Sequence, residues 1–100
     1  MAPRTIAKVD ETQAGCVQVA RGIGAYVYLT HQMGKGFPDG VVWYRGRVFF
    51  VEFKTDKGEL TEDEAKVHAK VAEQGGAIYV IRTPGEMLRL LTAQEFTEVP

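Results

Sequence analysis

The sequence predicts an α/β domain with the element order α-β-β-β-α-β-α, in which helices flank a mixed central sheet. Three short runs rich in β-branched and aromatic residues follow a helical segment. A second helical segment separates the third run from a fourth, which favours a parallel crossover added to an antiparallel meander. At 100 residues, with 45% hydrophobic and 25% charged residues, the chain is sized for one domain with a modest core.

The first helix is predicted from a start signal followed by helical spacing of apolar residues. Asp10 with Gln13 three positions later resembles a capping box, and the pattern predicts a helix over about 11–21 that ends at the following glycines. Residues 1–9 are expected to be a loose arm or an extra edge element. The core is therefore expected to span about 10–91.

A β-hairpin is predicted where the segments VVWY (41–44) and VFFVEF (48–53) flank a turn at Arg45-Gly46. Both faces of this hairpin are apolar, which is typical of strands in the middle of a sheet that helices cover. Arginine is a poor residue for the positive φ of a type I′ turn. A glycine bulge that shifts the pairing by one residue is therefore an alternative.

The remaining elements have clear boundary signals. A strand is predicted at 25–30, before a glycine-rich loop. Thr61 and Glu64 form a T-x-x-E capping box that begins a helix running to about 74, where two glycines follow. AIYVIR (77–82) is predicted as a strand, and Thr83-Pro84 begins a last helix.

Three charged residues are expected to share one face of the hairpin. If Tyr44 pairs with Arg47, the register places Asp39 opposite Glu52, and Lys54 lies diagonally from Asp39 on the same side. Two carboxylates at that separation repel unless a cation, a shared proton or the lysine compensates. A divalent metal ion is the usual partner of such oxygen ligands. A turn aspartate beside a solvated Glu–Lys pair is the plainer alternative, which the apolar surroundings disfavour.

The ordered motifs G-F-P-D-G, V-E-F-K-T, L-T-x-D-E and G-G-A-I-Y-V-I-R-T-P-G-E resemble a known family. The chain is similar over about 8–91 to the small phage-type virus-type replication-repair nuclease (VRR-NUC) domain, a branch of the PD-(D/E)xK nuclease superfamily. The resemblance implies a restriction-endonuclease-like core. It also implies that Asp39 and Glu52 bind Mg²⁺ or Mn²⁺ with the main-chain carbonyl of Phe53, and that Lys54 orients or activates the attacking water.

Other site residues follow from the same resemblance. Gln13 is the best match for a polar residue of the first helix that completes the site, with Glu11 second. Glu64 stands where many members have glutamine, and it is either a capping residue or an accessory carboxylate of the site. Gly40 replaces the usual large aliphatic residue after the P-D pair, which is expected to loosen that strand position.

Several other residues have open interpretations. His31, Lys35 and Lys57 are candidate DNA contacts, with solvated loops as the alternative. His68 is interpreted as an ordinary helix residue, although it lies on the same helix face as Glu64. The aromatic residues of the first two strands are expected in the core or in a subunit interface: Tyr26, Tyr28 and Trp43.

The leading hypothesis is a metal-dependent DNA endonuclease that acts on branched DNA such as Holliday junctions, as a homodimer, in phage-type replication, recombination or repair. A catalytically inactive nucleic-acid-binding or assembly module of the same fold is the alternative, and an enzyme acting on RNA or a nucleotide is a third. The net charge of −1 gives no general attraction for nucleic acid. A single cysteine and the lack of a signal peptide or membrane span predict a cytoplasmic protein, in a bacterial host if phage-encoded.

Overall fold

The computed structural model describes residues 3–30 and 32–93, with side chains described from residue 11 onward. The predicted order of elements is confirmed. The helices and strands are α1 (Pro3–Gly22), β1 (Tyr26–Leu29), β2 (Gly40–Tyr44), β3 (Arg47–Phe53), α2 (Glu62–Glu73), β4 (Ile78–Ile81) and α3 (Pro84–Thr92). Within the described ranges, no helix combines the length and the apolar character that a membrane span requires.

The first helix begins earlier than the sequence pattern predicted. α1 starts at Pro3, so the expected loose arm is wrong for residues 3–9. Proline is well suited to a first helical position because its missing N–H would have no partner there. The pair Asp10 and Gln13 therefore lies inside the helix and does not begin it. At its other end, α1 stops at Gly22 as expected.

The four strands form one mixed sheet in the order β1-β2-β3-β4. β1, β2 and β3 are antiparallel neighbours, and β4 is parallel to β3, as the intervening helix predicted. The direct hairpin register is confirmed, since Tyr44 pairs with Arg47 and Gly40 pairs with Val51. Arg45 and Gly46 both have positive φ, at 52° and 81°, as a type I′ turn requires. The glycine-bulge alternative is therefore wrong.

One face of the sheet holds the hydrophobic core, beneath α1 and α3. α1 contributes Cys16, Val17 and Ala20, and α3 contributes Met87 and Leu91. The sheet contributes Val27, Val42, Phe49, Val51, Phe53 and Ile81. Cys16 is fully buried, and burial raises the pKa of its thiol to about 11.

The opposite face of the sheet is covered only in part. Val67 and Val71 of α2 line a small apolar groove with Phe50 and Ile78. Beyond α2 the sheet carries an exposed aromatic patch, formed by Tyr26, Tyr28, Trp43, Val48 and Phe50, with side chains between 37% and 59% exposed. The expectation that helices cover both faces of the hairpin is wrong here. α2 has only 12 residues and lies at the β3–β4 side of the sheet.

The loop before β2 touches the start of α2 backbone to backbone. Gly36 has a φ of 83°, and a Cβ atom at this position would overlap the main chain of Asp63 and Glu64. A side chain is therefore excluded both by the left-handed conformation and by the lack of space. This contact fixes the loop that leads to Asp39 against the helix that carries Glu64.

Candidate active site

Asp39 is held at the entry to β2 by both neighbouring strands. The main-chain N–H of Thr30 donates to the Asp39 carbonyl at 2.7 Å, and the Thr30 hydroxyl donates to the Pro38 carbonyl at 2.5 Å. On the other side, the N–H of Phe53 donates to Asp39 Oδ2 at 2.8 Å. The Asp39 carboxylate is thereby fixed beside the end of β3. Thr30 was not singled out by the sequence motifs, because a threonine after a strand has no distinctive pattern.

Glu52 is a fully buried acidic residue near the end of the apolar strand β3. Its Oε1 lies 3.2 Å from Nε2 of His68, and its Oε2 is buried without a hydrogen-bond partner. Burial raises the pKa of Glu52 to about 9, and the nearby carboxylates of Asp39 and Glu64 add to the shift. Ionising this side chain is therefore costly unless a cation neutralises it. The alternative of a solvated ion pair between Glu52 and Lys54 is therefore wrong, because Glu52 is fully buried and Lys54 pairs with Glu64.

Lys54 follows β3 directly and turns its side chain to α2. Its Nζ lies 2.7 Å from Oε1 of Glu64, with 15% of the lysine side chain and 16% of the glutamate side chain exposed. The main-chain N–H of Lys54 donates to the Ile81 carbonyl at 3.1 Å, which continues the pairing of β3 with β4. The ammonium is thus placed on the α2 side of the sheet, as is the Glu52 carboxylate.

Glu64 combines the two interpretations that the sequence left open. It completes the predicted capping box, because Thr61 N–H donates to Glu64 Oε1 at 2.9 Å and Glu64 N–H donates to the Thr61 hydroxyl at 3.1 Å. The same carboxylate pairs with Lys54. Burial alone would raise the pKa of Glu64, but hydrogen bonds from Lys54 and Thr61 lower it below its ordinary value. Glu64 is therefore an anionic member of the site.

His68 is a site residue that the motifs did not assign. It lies one helical turn after Glu64, so both side chains of α2 point to the strand segment that carries Glu52 and Lys54. In the sequence, the i,i+4 spacing of Glu64 and His68 was the signal that could have identified His68 as a site residue. Burial lowers the pKa of His68, although the charge of Glu64 opposes this. Because the pKa of Glu52 is raised and that of His68 is lowered, both side chains are favoured in their neutral forms near neutral pH. The contact between them is therefore a hydrogen bond more than an ion pair.

Comparison with solved structures relates this arrangement to a known fold. A structure described as a VRR-NUC domain superposes with a TM-score of 0.71, covering 88% of this chain and 98% of the other at 21% sequence identity. The chain has the VRR-NUC fold. No protein-family profile matches the sequence, and no curated protein matches it. This structural match confirms the fold predicted from the ordered motifs.

The acidic and amide candidates of α1 line two different pockets. Gln13 lines a pocket with Leu29, whose strand partner is Gly40. In the described part of the chain, no hydrogen bond joins Gln13 to Asp39 or Glu52, so its role stays a prediction. Glu11 lines a separate cleft with Thr55, Asp56 and Arg82, beyond Lys54.

The candidate DNA contacts are distributed over the loops around the site. Lys35 is exposed in the glycine-rich loop with a φ of 56°, and Lys57 is exposed in the turn after Lys54. His31 lies outside the described residues. Gly40 is buried and paired on both sides, with Leu29 and with Val51, so the strand is regular at this position despite the glycine.

Arg82 gives the R-T-P-G-E motif of the VRR-NUC resemblance a structural role. Its guanidinium donates from one nitrogen to the carbonyls of Thr55 and Gly58, at 2.5 Å and 2.7 Å. Its main-chain N–H donates to Glu86 Oε1 at 2.6 Å. Arg82 therefore holds the loop that follows Lys54. The sequence contained this residue in a quoted motif, but no pattern indicated which loop it would contact.

The oxygen atoms of this site fit a hard divalent cation. Oε2 of Glu52 is buried and unpartnered, and Asp39 lies close enough for its charge to raise the Glu52 pKa. Among the residues described, no three histidine, cysteine or acidic side chains form a ready metal cage. Mg²⁺ does not need one, since it is commonly held by one or two carboxylates and retains several waters. The main-chain carbonyl of Phe53 stays a predicted third ligand.

Proposed function

We propose that this chain is a nuclease that hydrolyses DNA phosphodiester bonds with Mg²⁺ or Mn²⁺. The observation that supports this most strongly is the unpartnered buried oxygen of Glu52 beside Asp39, with the Lys54 ammonium on the same side of the sheet. A buried carboxylate oxygen without a hydrogen-bond partner is costly for folding, and function is the usual reason for keeping one. The shared fold with a VRR-NUC domain supports the reaction class.

Each residue has a distinct task in this proposal. Asp39 and Glu52 would hold the metal with the Phe53 carbonyl, and a bound divalent ion lowers the pKa of water and neutralises phosphate charge. Lys54 would hydrogen-bond a non-bridging phosphate oxygen or the attacking water, where its charge offsets the negative charge that develops on the phosphate. Glu64 and Thr61 keep the lysine at the edge of α2.

A cleavage assay on the full chain tests this function. Labelled single-stranded, duplex, flap and four-way DNA would be incubated with Mg²⁺, Mn²⁺, Ca²⁺ or EDTA. Asp39→Ala and Lys54→Ala are expected to reduce the rate by at least about 100-fold, as loss of a metal ligand or a charge-stabilising donor does. Lys66→Ala, which removes an exposed lysine of α2, is the matched control and should cut normally.

The outcomes separate the candidate functions. Equal cleavage by wild type and by both site variants would refute the proposed site. Tight binding of four-way DNA without cleavage in any metal would favour a non-catalytic binding module. Cleavage of an RNA strand in preference to DNA would favour the third hypothesis.

We further propose that the active form is a homodimer acting on branched DNA. Two cuts in opposing strands need two active sites, and this chain supplies one. The exposed aromatic patch is the surface that supports self-association. With exposed fractions of 37–59% and a full aromatic side chain of roughly 150–250 Å², it presents on the order of 500 Å². That is more than half of the roughly 800 Å² that each partner of a standard interface buries.

The composition of the patch favours a second copy over other partners. Its side chains are apolar or tyrosine. A two-fold axis through the patch would place the patch of one copy against the same patch of the other copy. Phosphate binding would require lysines and arginines, and none belongs to the five residues of the patch. The patch lies on the same face of the sheet as Glu52.

Sedimentation velocity of the purified chain tests the dimer. Trp43→Lys is expected to give a monomer, because it places a charge within the contact. Tyr79→Lys changes an aromatic residue that is 40% exposed on the other sheet face, and it should leave the dimer intact. A monomeric wild type at tens of micromolar would refute this part of the proposal and leave the nuclease activity untouched.

A further inference from the structure

His68 contacts the buried acid of the site from a separate element. Its Nε2 lies 3.2 Å from Oε1 of Glu52, with 16% of the histidine side chain exposed and none of the glutamate side chain. The contact joins α2 to β3 across 16 positions of sequence. It therefore depends on the tertiary packing of α2 on the sheet and not on local chain geometry.

The two oxygens of Glu52 have different surroundings. Oε1 has the His68 contact, whereas Oε2 is buried and has no hydrogen-bond partner. A hydrogen bond to one oxygen restricts rotation of the carboxylate, so the other oxygen is held in one direction. Groups that hold a ligand in this way typically change metal affinity 10- to 100-fold when they are removed.

We infer that His68 is a positioning residue, which anchors Glu52 Oε1 so that Oε2 is presented to a divalent cation. The inference rests on the proposed metal-dependent function. His68 itself does not contact substrate or metal in this role. Its neighbour Glu64 performs the corresponding task for Lys54, so α2 would orient both functional side chains of the β3 end.

Direct measurement of Mn²⁺ binding tests this role without relying on catalysis. Free Mn²⁺ would be followed by electron paramagnetic resonance during titration of the full chain. His68→Ala is expected to weaken binding about 10- to 100-fold. His68→Gln keeps an N–H donor at similar reach, and its affinity should return to within about threefold of wild type. Lys66→Ala is the control on the exposed side of the same helix.

Three results would overturn the inference. Wild-type affinity in His68→Ala would show that the contact does not orient Glu52. Equal weakening in His68→Ala and His68→Gln would show that the hydrogen bond is not the relevant feature, and thermal unfolding would reveal whether both variants had lost structure. Tight Mn²⁺ binding that Glu52→Gln and Asp39→Ala leave unchanged would instead refute the proposed site itself, and the two failures are thus distinguishable.

Discussion

At the residue scale, the Lys54–Glu64 contact sets the charge balance of the site. Asp39, Glu52 and Glu64 bring three carboxyl groups close together, and the Lys54 ammonium lies 2.7 Å from the carboxylate of Glu64. In the proposed reaction the substrate phosphate, which is also an anion, must approach the same lysine. The glutamate therefore competes with the substrate for Lys54 while it holds the side chain in place.

Replacing Glu64 by glutamine is predicted to increase cleavage. Glutamine at this position can still complete the capping box with Thr61, but it removes one negative charge and the ion pair. The rate under subsaturating substrate is expected to rise several-fold, because Lys54 becomes available to phosphate. Single-turnover cleavage with Mg²⁺ would measure it.

The matched control is Glu62→Gln, which removes an exposed charge in the first turn of the same helix. A similar gain in both variants would point to general repulsion of DNA. A loss of activity in Glu64→Gln would show that the positioning of Lys54 by Glu64 outweighs its competition with phosphate, contrary to this prediction.

The sequence identified some of these residues more readily than others. Asp39, Glu52 and Lys54 could be brought together by counting along one hairpin, because antiparallel pairing fixes which residues are opposite. His68 could not, since its contact with Glu52 depends on how far α2 is rotated about its axis. The rules of strand pairing do not specify the rotation of a helix about its axis.

At the element scale, the β2–β3 turn has type I′ geometry with an unfavourable residue, arginine, at its first central position. Arg45 has a φ of 52°, a region that costs L-residues roughly 1–2 kcal/mol and that asparagine tolerates better. Arg45→Asn is predicted to raise the free energy of unfolding by about 0.5–1 kcal/mol. Urea denaturation would measure the change.

Arg45→Ala separates backbone strain from charge in this test. It removes the same guanidinium, including its contact 5.3 Å above the Tyr44 ring, without relieving the positive φ. No gain is expected from it. Equal stabilisation by alanine and asparagine would mean that charge, not conformation, limits the turn.

The loop after Lys54 is predicted to depend on Arg82. Arg82→Ala removes both hydrogen bonds to the Thr55 and Gly58 carbonyls, which is expected to lower the free energy of unfolding by about 1–3 kcal/mol. Amide exchange at Gly58 should accelerate, because its N–H bond to Thr55 lies within this loop. Hydrogen–deuterium exchange by mass spectrometry would measure it.

Arg89→Ala, an exposed arginine of α3, serves as the control for the Arg82 variant. Unchanged amide exchange in this loop of the Arg82→Ala variant would show that the loop is stable without the Arg82 hydrogen bonds. The motif that contains Arg82 was visible in the sequence, whereas its partner loop was not. Long-range side-chain contacts to main-chain carbonyls carry no periodicity.

At the scale of the whole molecule, the buried acid links folding to pH. Unfolding exposes Glu52 to water, where its pKa returns from about 9 to the ordinary 4.5. Between these values the folded chain retains a proton that the unfolded chain releases, so rising pH favours unfolding. The lowered pKa values of Glu64 and His68 affect stability at more acidic pH, and the raised pKa of Cys16 affects stability above pH 9.

The metal-free protein is therefore predicted to lose stability as pH rises from about 7 to 9. Thermal unfolding in EDTA would show a falling Tm for wild type and a much flatter profile for Glu52→Gln. Saturating Mg²⁺ should reduce the wild-type slope, because a bound cation stabilises the ionised carboxylate. A wild-type Tm that is constant across this range would contradict the assignment of a raised pKa to Glu52.

The global architecture was more accessible from sequence than the coverage of its surfaces. Element order and sheet type followed from periodicity and crossover rules. The partial exposure of the second sheet face did not, because an apolar strand has the same pattern whether a helix or another protein molecule covers it. The length of α1 was also missed, since its upstream residues carry no second start signal.

The contact of Gly36 with α2 has a consequence for how mutational data on this protein would be interpreted. Position 36 has no functional group, yet it sets the spacing between the loop before Asp39 and the helix that carries Glu64 and His68. A saturation scan scored by activity alone would rank Gly36 with the proposed metal ligands. Only a parallel scan scored by abundance or folding would separate a spacer from a chemical participant.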